Sequence, residues 1–159
     1  MGVHGRDDDD ERLHEYVEEF GAERFEAFEH FFVEEVRASV NSMFDVPLDP
    51  ERTAVWGASL GAEFALAVGL RHPTIYGAVL GASPGGGFTP TAATLSDDGP
   101  RTYLVGGTGE PWFLDNARRW SDALVAAGHD VVMAERDGEH GGDFWFDEFP
   151  LMLAWLRSP

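Results

Sequence analysis

The chain has no cysteine among its 159 residues, which excludes disulfides, thiolate metal sites and catalysis by a thiol. Lysine is also missing: all 11 basic residues are arginine, set against 29 acidic ones, for a formal net charge of -18. A surface so poor in positive charge repels nucleic acid and anionic membrane, and neither is expected as a partner. Strong acidity without lysine points to adaptation to high salt, where screening shrinks the self-repulsion. A GC-rich codon bias would also favour arginine over lysine. No apolar run approaches the length needed to cross a bilayer, and Met1-Gly2-Val3-His4-Gly5-Arg6 does not have the form of a signal peptide. A cytoplasmic location is therefore the expectation. With 43% hydrophobic residues the length suits one domain with a sizeable core.

The organising stretch is Thr53-Ala54-Val55-Trp56-Gly57-Ala58-Ser59-Leu60-Gly61. A short run of strand-favouring residues enters Gly57, and an alanine- and leucine-rich segment with good helix propensity leaves Gly61. Gly-x-Ser-x-Gly between a strand and a helix is the pattern of a serine held on a sharp turn. Side chains two positions to either side would crowd that corner, which accounts for both glycines. The turn also directs backbone N–H groups and the positive end of the helix toward the serine oxygen.

Around this unit the chain alternates between strand and helix patterns. Gly2 to Gly5 reads as the last residues of a strand, and Arg6 to Glu11, with four consecutive aspartates, as a solvated loop without the ligand spacing of a calcium site. From Glu23 to Met43, apolar residues at Phe25, Phe28, Phe31, Phe32, Val36 and Val40 predict an amphipathic helix. Asp45 to Glu51 is turn-rich. Tyr76 to Ala82 predicts a buried parallel strand, Phe88 to Pro100 a surface loop, and Arg101 to Gly107 a further strand. Trp112 to Ala127 predicts a helix ended by Gly128, and Asp130 to Glu135 a last strand. Phe144 to Leu156 predicts a closing helix, kinked or started late by Pro150. Four strand-helix alternations indicate an α/β fold, a parallel sheet covered by helices on both faces.

A serine hydroxyl needs a base to accept its proton and a carboxylate to orient that base. In open α/β sheets functional groups gather at the C-terminal ends of strands. Glu110 lies just beyond the strand 101–106, and His140 just beyond the strand 130–135. The order Ser59, Glu110, His140 is that of the α/β-hydrolase arrangement. Glu110 also suits the start of a helix before Pro111, which leaves Asp115 as the substitute acid. His129, placed before a strand, reads as a surface residue. His4, His14, His30 and His72 lie near element ends, none spaced with another ligand as zinc requires, so no metal site is expected.

The blocks Arg12-x-x-Glu15-Tyr16, Phe25 to Val36, Gly57-Ala58-Ser59-Leu60-Gly61, Gly107-Thr108-Gly109-Glu110-Pro111 and Gly138-Glu139-His140 occur in one order along the chain, with Asn116-Ala117-Arg118-Arg119-Trp120 between the last two. In this the chain resembles the putative-esterase family of esterase D, the enterochelin esterases and the mycolyltransferases. The resemblance implies an α/β-hydrolase fold acting on small-molecule carboxylic esters, with no cofactor. It makes Ser59 the nucleophile, Glu110 the acid, His140 the base, and the Leu60 N–H one oxyanion donor. It also implies that the family's first strands are missing here, so that the strand 53–58 has an open edge. The chain is then a fragment or a mis-started gene, or another subunit covers that edge, as in a homo-oligomer. A non-catalytic hydrolase-like scaffold and an acyltransferase are the alternatives to a hydrolase.

Overall fold

The computed structural model describes residues 3, 8–46, 49–85, 95–96 and 98–157, which divide into one unit up to Asp49 and a second from Pro50. Most of the strand expected at 2–5 and most of the loop expected at 88–100 lie outside the described residues.

In the first unit the aspartate run starts a helix where a loop was expected. Asp8 takes the extended N-cap conformation and its carboxylate accepts the N–H of Glu11 at 3.0 Å, opening α1, Asp9–Tyr16. Aspartate is among the best N-cap residues, and the charge density of the run masks that signal. The amphipathic helix expected over 23–43 is found as α2, Ala22–His30, continuing through a π-helical turn, Phe31–Val36, into α3, Arg37–Phe44. Phe25 and Val33 are buried. Phe31 stays 38% exposed, because six residues beyond Phe25 is about 240° round the helix.

The second unit is built on four parallel strands: β1, Ala54–Ala58; β2, Ala78–Ala82; β3, Arg101–Gly107; and β4, Val131–Arg136. They lie in the order β1-β2-β3-β4, with Gly57 opposite Gly81, Gly81 opposite Leu104, and Val105 opposite Ala134. Two of the crossovers carry the helices that cover the sheet here: α4, Leu60–Arg71, follows β1 and packs on β1 and β2, and α5, Pro111–Ala126, follows β3 and packs on β3 and β4. The closing helix α6, Phe144–Trp155, begins before Pro150 and not after it. Its Phe144 and Met152 pack with Leu80, Ala82, Tyr103, Val105 and Ala134 on one sheet face. The alternate strand positions turn to the other face, where Gly81 admits Leu104 and Ala62, and Gly106 admits Leu114. The sheet is thus covered on both faces, and burial on both sides explains why β2 is an unbroken apolar run. Among the described residues β1 forms one edge of the sheet.

Two features of this unit fix the loops at the C-terminal ends of the strands. The first is the corner between β1 and α4. A Cβ on Gly57 would lie 1.9 Å from the Gly61 carbonyl oxygen, backbone that cannot yield, whereas a Cβ on Gly61 meets nothing within 4 Å among the described residues. The expectation that both glycines are sterically required therefore holds for Gly57 alone. The second is an ion pair between the partly exposed Arg136 and a buried carboxylate, behind the loop from Asp137 to Asp143. Glu148 of α6 is only 1% exposed; it accepts the Tyr103 hydroxyl at 2.6 Å and the Arg136 guanidinium at 2.5 and 2.8 Å. Arg136 ends β4, so the pair holds both ends of the loop together.

Gly57→Ala should lower stability by about 3 kcal/mol or more, the upper range for an overpacked site. Gly61→Ala should leave it unchanged or raise it by up to about 1 kcal/mol, since alanine is the better helix former. Urea unfolding of the two variants checks this, and equal losses would contradict it. Burial, then the hydrogen bond and charge of Glu148, push the Tyr103 hydroxyl from 10.0 up to about 12. Its proton is therefore held more tightly in the folded state. The associated stability is complete below pH 10 and is lost as the pH rises through about 12. Unfolding midpoints should fall across that window in the native protein and fall less in Tyr103→Phe.

Candidate active site

Ser59 occupies the corner between β1 and α4 with φ 55° and ψ -125°, a conformation that non-glycine residues rarely adopt and that costs about 1–3 kcal/mol. The corner is held on both sides. The Ser59 N–H donates to the Ala82 carbonyl at 2.9 Å, and the Ser59 carbonyl accepts the N–H groups of Ala62 at 2.9 Å and Gly85 at 3.2 Å. Leu60 is the first residue of α4, so its N–H lies outside the intrahelical ladder and faces the start of the helix. This is the position from which it was expected to serve an oxyanion.

Glu110 ends the loop after β3 and stands immediately before Pro111, the first residue of α5. Its side chain makes no capping hydrogen bond to that helix. Instead Oε1 accepts the Gly107 N–H at 2.7 Å and the Ser83 hydroxyl, and Oε2 faces His140 Nδ1 at 2.6 Å. The residue is 4% exposed, and its carboxylate is fully engaged. Asp115, the substitute acid, lies elsewhere: it is exposed and pairs with Arg118 at 3.1 Å.

His140 sits in the turn between β4 and α6. Its Nε2 is 3.0 Å from Ser59 Oγ. Because a carboxylate can only accept, Nδ1 carries the proton and Nε2 is left as the acceptor for the serine hydroxyl. The ring is held by two aromatic neighbours: Phe113 stacks on it at 3.6 Å between centroids, and Trp145 meets it edge-on at 5.0 Å. The acid loop and the base loop are also joined through their backbones, with Thr108 N–H donating to the Arg136 carbonyl and Gly109 N–H to the Gly138 carbonyl, each at 2.8 Å. A Cβ on Gly109 would lie 2.7 Å from that Gly138 oxygen, so the join depends on glycine.

The three residues picked out by motif and strand-end position, Ser59, Glu110 and His140, thus form one hydrogen-bonded line. The supporting groups Ser83, Trp145 and Phe113 were not anticipated. The one hint for Ser83 is its place directly after an all-apolar buried strand, next to the strand that carries Ser59. His129 is buried, not at the surface: its Nε2 donates to the Ser96 carbonyl at 2.7 Å. Among the described residues no three potential ligands gather in a way that could hold a metal ion. No helix among them is long and apolar enough to cross a membrane.

The chain has relatives among solved structures. Enterochelin esterase from Shigella flexneri superimposes with a TM-score of 0.74 at 25% identity, over 83% of this chain and 37% of that one. A ferulic acid esterase superimposes with a TM-score of 0.68 at 19% identity, over 81% of this chain and 60% of the other. The ferulic acid esterase AmCE1/Fae1A from Anaeromyces mucronatus, solved with ferulic acid, gives 0.61 at 18%, over 74% and 48% of the two chains. The chain spans less than two thirds of each of these proteins. No curated protein sequence matches it. The parallel sheet, with helices on both faces, is the α/β-hydrolase fold of these esterases. The family described as Putative esterase matches residues 2–156, essentially the whole chain, and the chain belongs to that family.

Proposed function

We propose that the protein is a serine-dependent carboxylic ester hydrolase in which Ser59, His140 and Glu110 act as nucleophile, base and acid. The observation that carries this reading is the unbroken line from Ser59 Oγ to His140 Nε2 at 3.0 Å and from His140 Nδ1 to Glu110 Oε2 at 2.6 Å, made by side chains from three separate loops. Membership of an esterase family supports the reaction class.

In the acylation step Ser59 Oγ attacks the ester carbonyl carbon while its proton passes to His140 Nε2. The Leu60 N–H, at the positive end of α4, stabilises the oxyanion of the tetrahedral intermediate. Collapse breaks the bond to the alcohol oxygen, which leaves with the proton from His140. Water then attacks the acyl-serine carbonyl, giving a proton to His140, and release of the carboxylic acid restores the Ser59 hydroxyl. Throughout, Glu110 holds the imidazole in one tautomer and balances the imidazolium charge. The substrate class is a small-molecule ester.

Ser59→Ala should abolish turnover of p-nitrophenyl butyrate and labelling by a fluorophosphonate probe. Glu110→Gln should keep the fold and lower kcat by roughly 10⁴-fold, the effect of presenting the wrong tautomer. Undiminished turnover in Ser59→Ala would reject the assignment. A native chain that neither turns over the ester nor takes the probe would favour a non-catalytic scaffold.

A further inference from the structure

Ser83 follows β2 directly, is fully buried, and has φ 48°, a left-handed conformation in which glycine would be at ease and serine is strained. What serine offers there and glycine lacks is a hydroxyl. Its Oγ accepts the Trp145 Nε1–H at 2.7 Å and donates to Glu110 Oε1. An indole N–H can only donate, so Trp145 occupies a lone pair of the hydroxyl and obliges its proton to point to the carboxylate. The Gly107 N–H is a second donor to the same oxygen. With both donors on Oε1, the carboxylate cannot turn about its own axis, and Oε2 is kept for His140.

We infer that Ser83 is a positioning residue for the acid of the triad, and that Trp145 sets the direction of its hydrogen bond; this rests on the reading of Ser59, His140 and Glu110 given above. The turn that begins at Ser83 also serves the other end of the line. Gly85 N–H donates to the Ser59 carbonyl at 3.2 Å, and the Pro84 carbonyl accepts from Asn116 Nδ2 at 2.9 Å. That same amide group donates to the buried Glu63 at 2.9 Å. Three consecutive residues thus register both the acid and the nucleophile against α4 and α5. Trp145 completes the link, because it touches Ser83 through its N–H and His140 through its ring.

The test compares Ser83→Ala with Ser83→Gly. Both lose the hydroxyl, but glycine relieves the backbone strain, so the glycine variant should be the more stable in thermal unfolding. Kinetically the two should behave alike: kcat on p-nitrophenyl butyrate and the second-order rate of fluorophosphonate labelling at Ser59 should each fall about 10- to 100-fold, with KM within about twofold, as expected for a misplaced catalytic group. The native protein should show a downfield Nδ1–H resonance for His140, and both variants should lose it by exchange. Native rates in either variant, or recovery of activity in the more stable glycine variant, would overturn the proposal. Failure of the underlying triad reading has a different signature: native protein that is not labelled at Ser59, or Ser59→Ala that retains turnover, would overturn the triad and the positioning role together.

Discussion

A carboxylate removed from water is tolerated only where donors replace the water it has lost, and a half-satisfied one costs more than none at all. Glu110 is that group in this chain: nearly fully buried at the end of β3, it is surrounded by a hydroxyl, a backbone N–H and an imidazole. Each of those donors comes from a different part of the chain, the end of β2, the end of β3 and the turn after β4. Satisfying one buried charge therefore brings three strand ends to one place. The position of His140 near Ser59 follows from this, because the imidazole that answers Glu110 through Nδ1 has only Nε2 left to offer.

The nucleophile is fixed by a separate constraint that meets the first at the 83–85 turn. The corner at Ser59 is compact because the Gly61 carbonyl lies where a side chain on Gly57 would stand. That closeness turns the backbone through a positive φ and leaves the Leu60 N–H at the head of α4, beyond the helical ladder. The strain at Ser59 and the strain at Ser83 lie on neighbouring strands, and the hydrogen bond from Gly85 to the Ser59 carbonyl joins them. Strained residues persist only where surrounding structure over-determines them, and each here is held by hydrogen bonds on both sides.

The parts of this design that the amino-acid order reveals are those governed by local rules. Apolar runs between turn residues mark the four strands. A functional group at a C-terminal strand end marks each member of the line, which is why Ser59, Glu110 and His140 can be named without coordinates. What local rules miss depends on a partner distant in sequence. Ser83 has no motif, and its meaning comes from Trp145 and Glu110, 62 and 27 residues away. Asp115 stands as the substitute acid because Glu110 also suits a helix start, and it is the bond from Glu110 to His140, with Asp115 exposed and paired to Arg118, that separates the two. His129 reads as exposed because it stands between a helix and a strand, yet the Ser96 carbonyl and the space at Gly99 enclose it. At Asp8 the error was of a different kind. The capping signal was local, but four adjacent aspartates read as solvation before they read as a cap.

The loops that carry the acid and the base are surface connections, the least rigid kind of structure, yet the line they form tolerates little displacement. Three levels of restraint resolve this. Backbone bonds from Thr108 and Gly109 to Arg136 and Gly138 join the two loops as a sheet would, without the entropy loss that long side chains would incur. The Arg136–Glu148 pair then ties the end of β4 to α6, so the turn bearing His140 spans a fixed gap. Phe113 and Trp145 finally limit the imidazole itself, one stacked on its face and the other set against its edge. Removing the outermost restraint should loosen the turn while the stacked ring still holds its plane. Removing the stack would free the ring within a turn that stays in place. The two losses act on different coordinates, translation of the turn and rotation of the ring, so the site needs both restraints for one geometry.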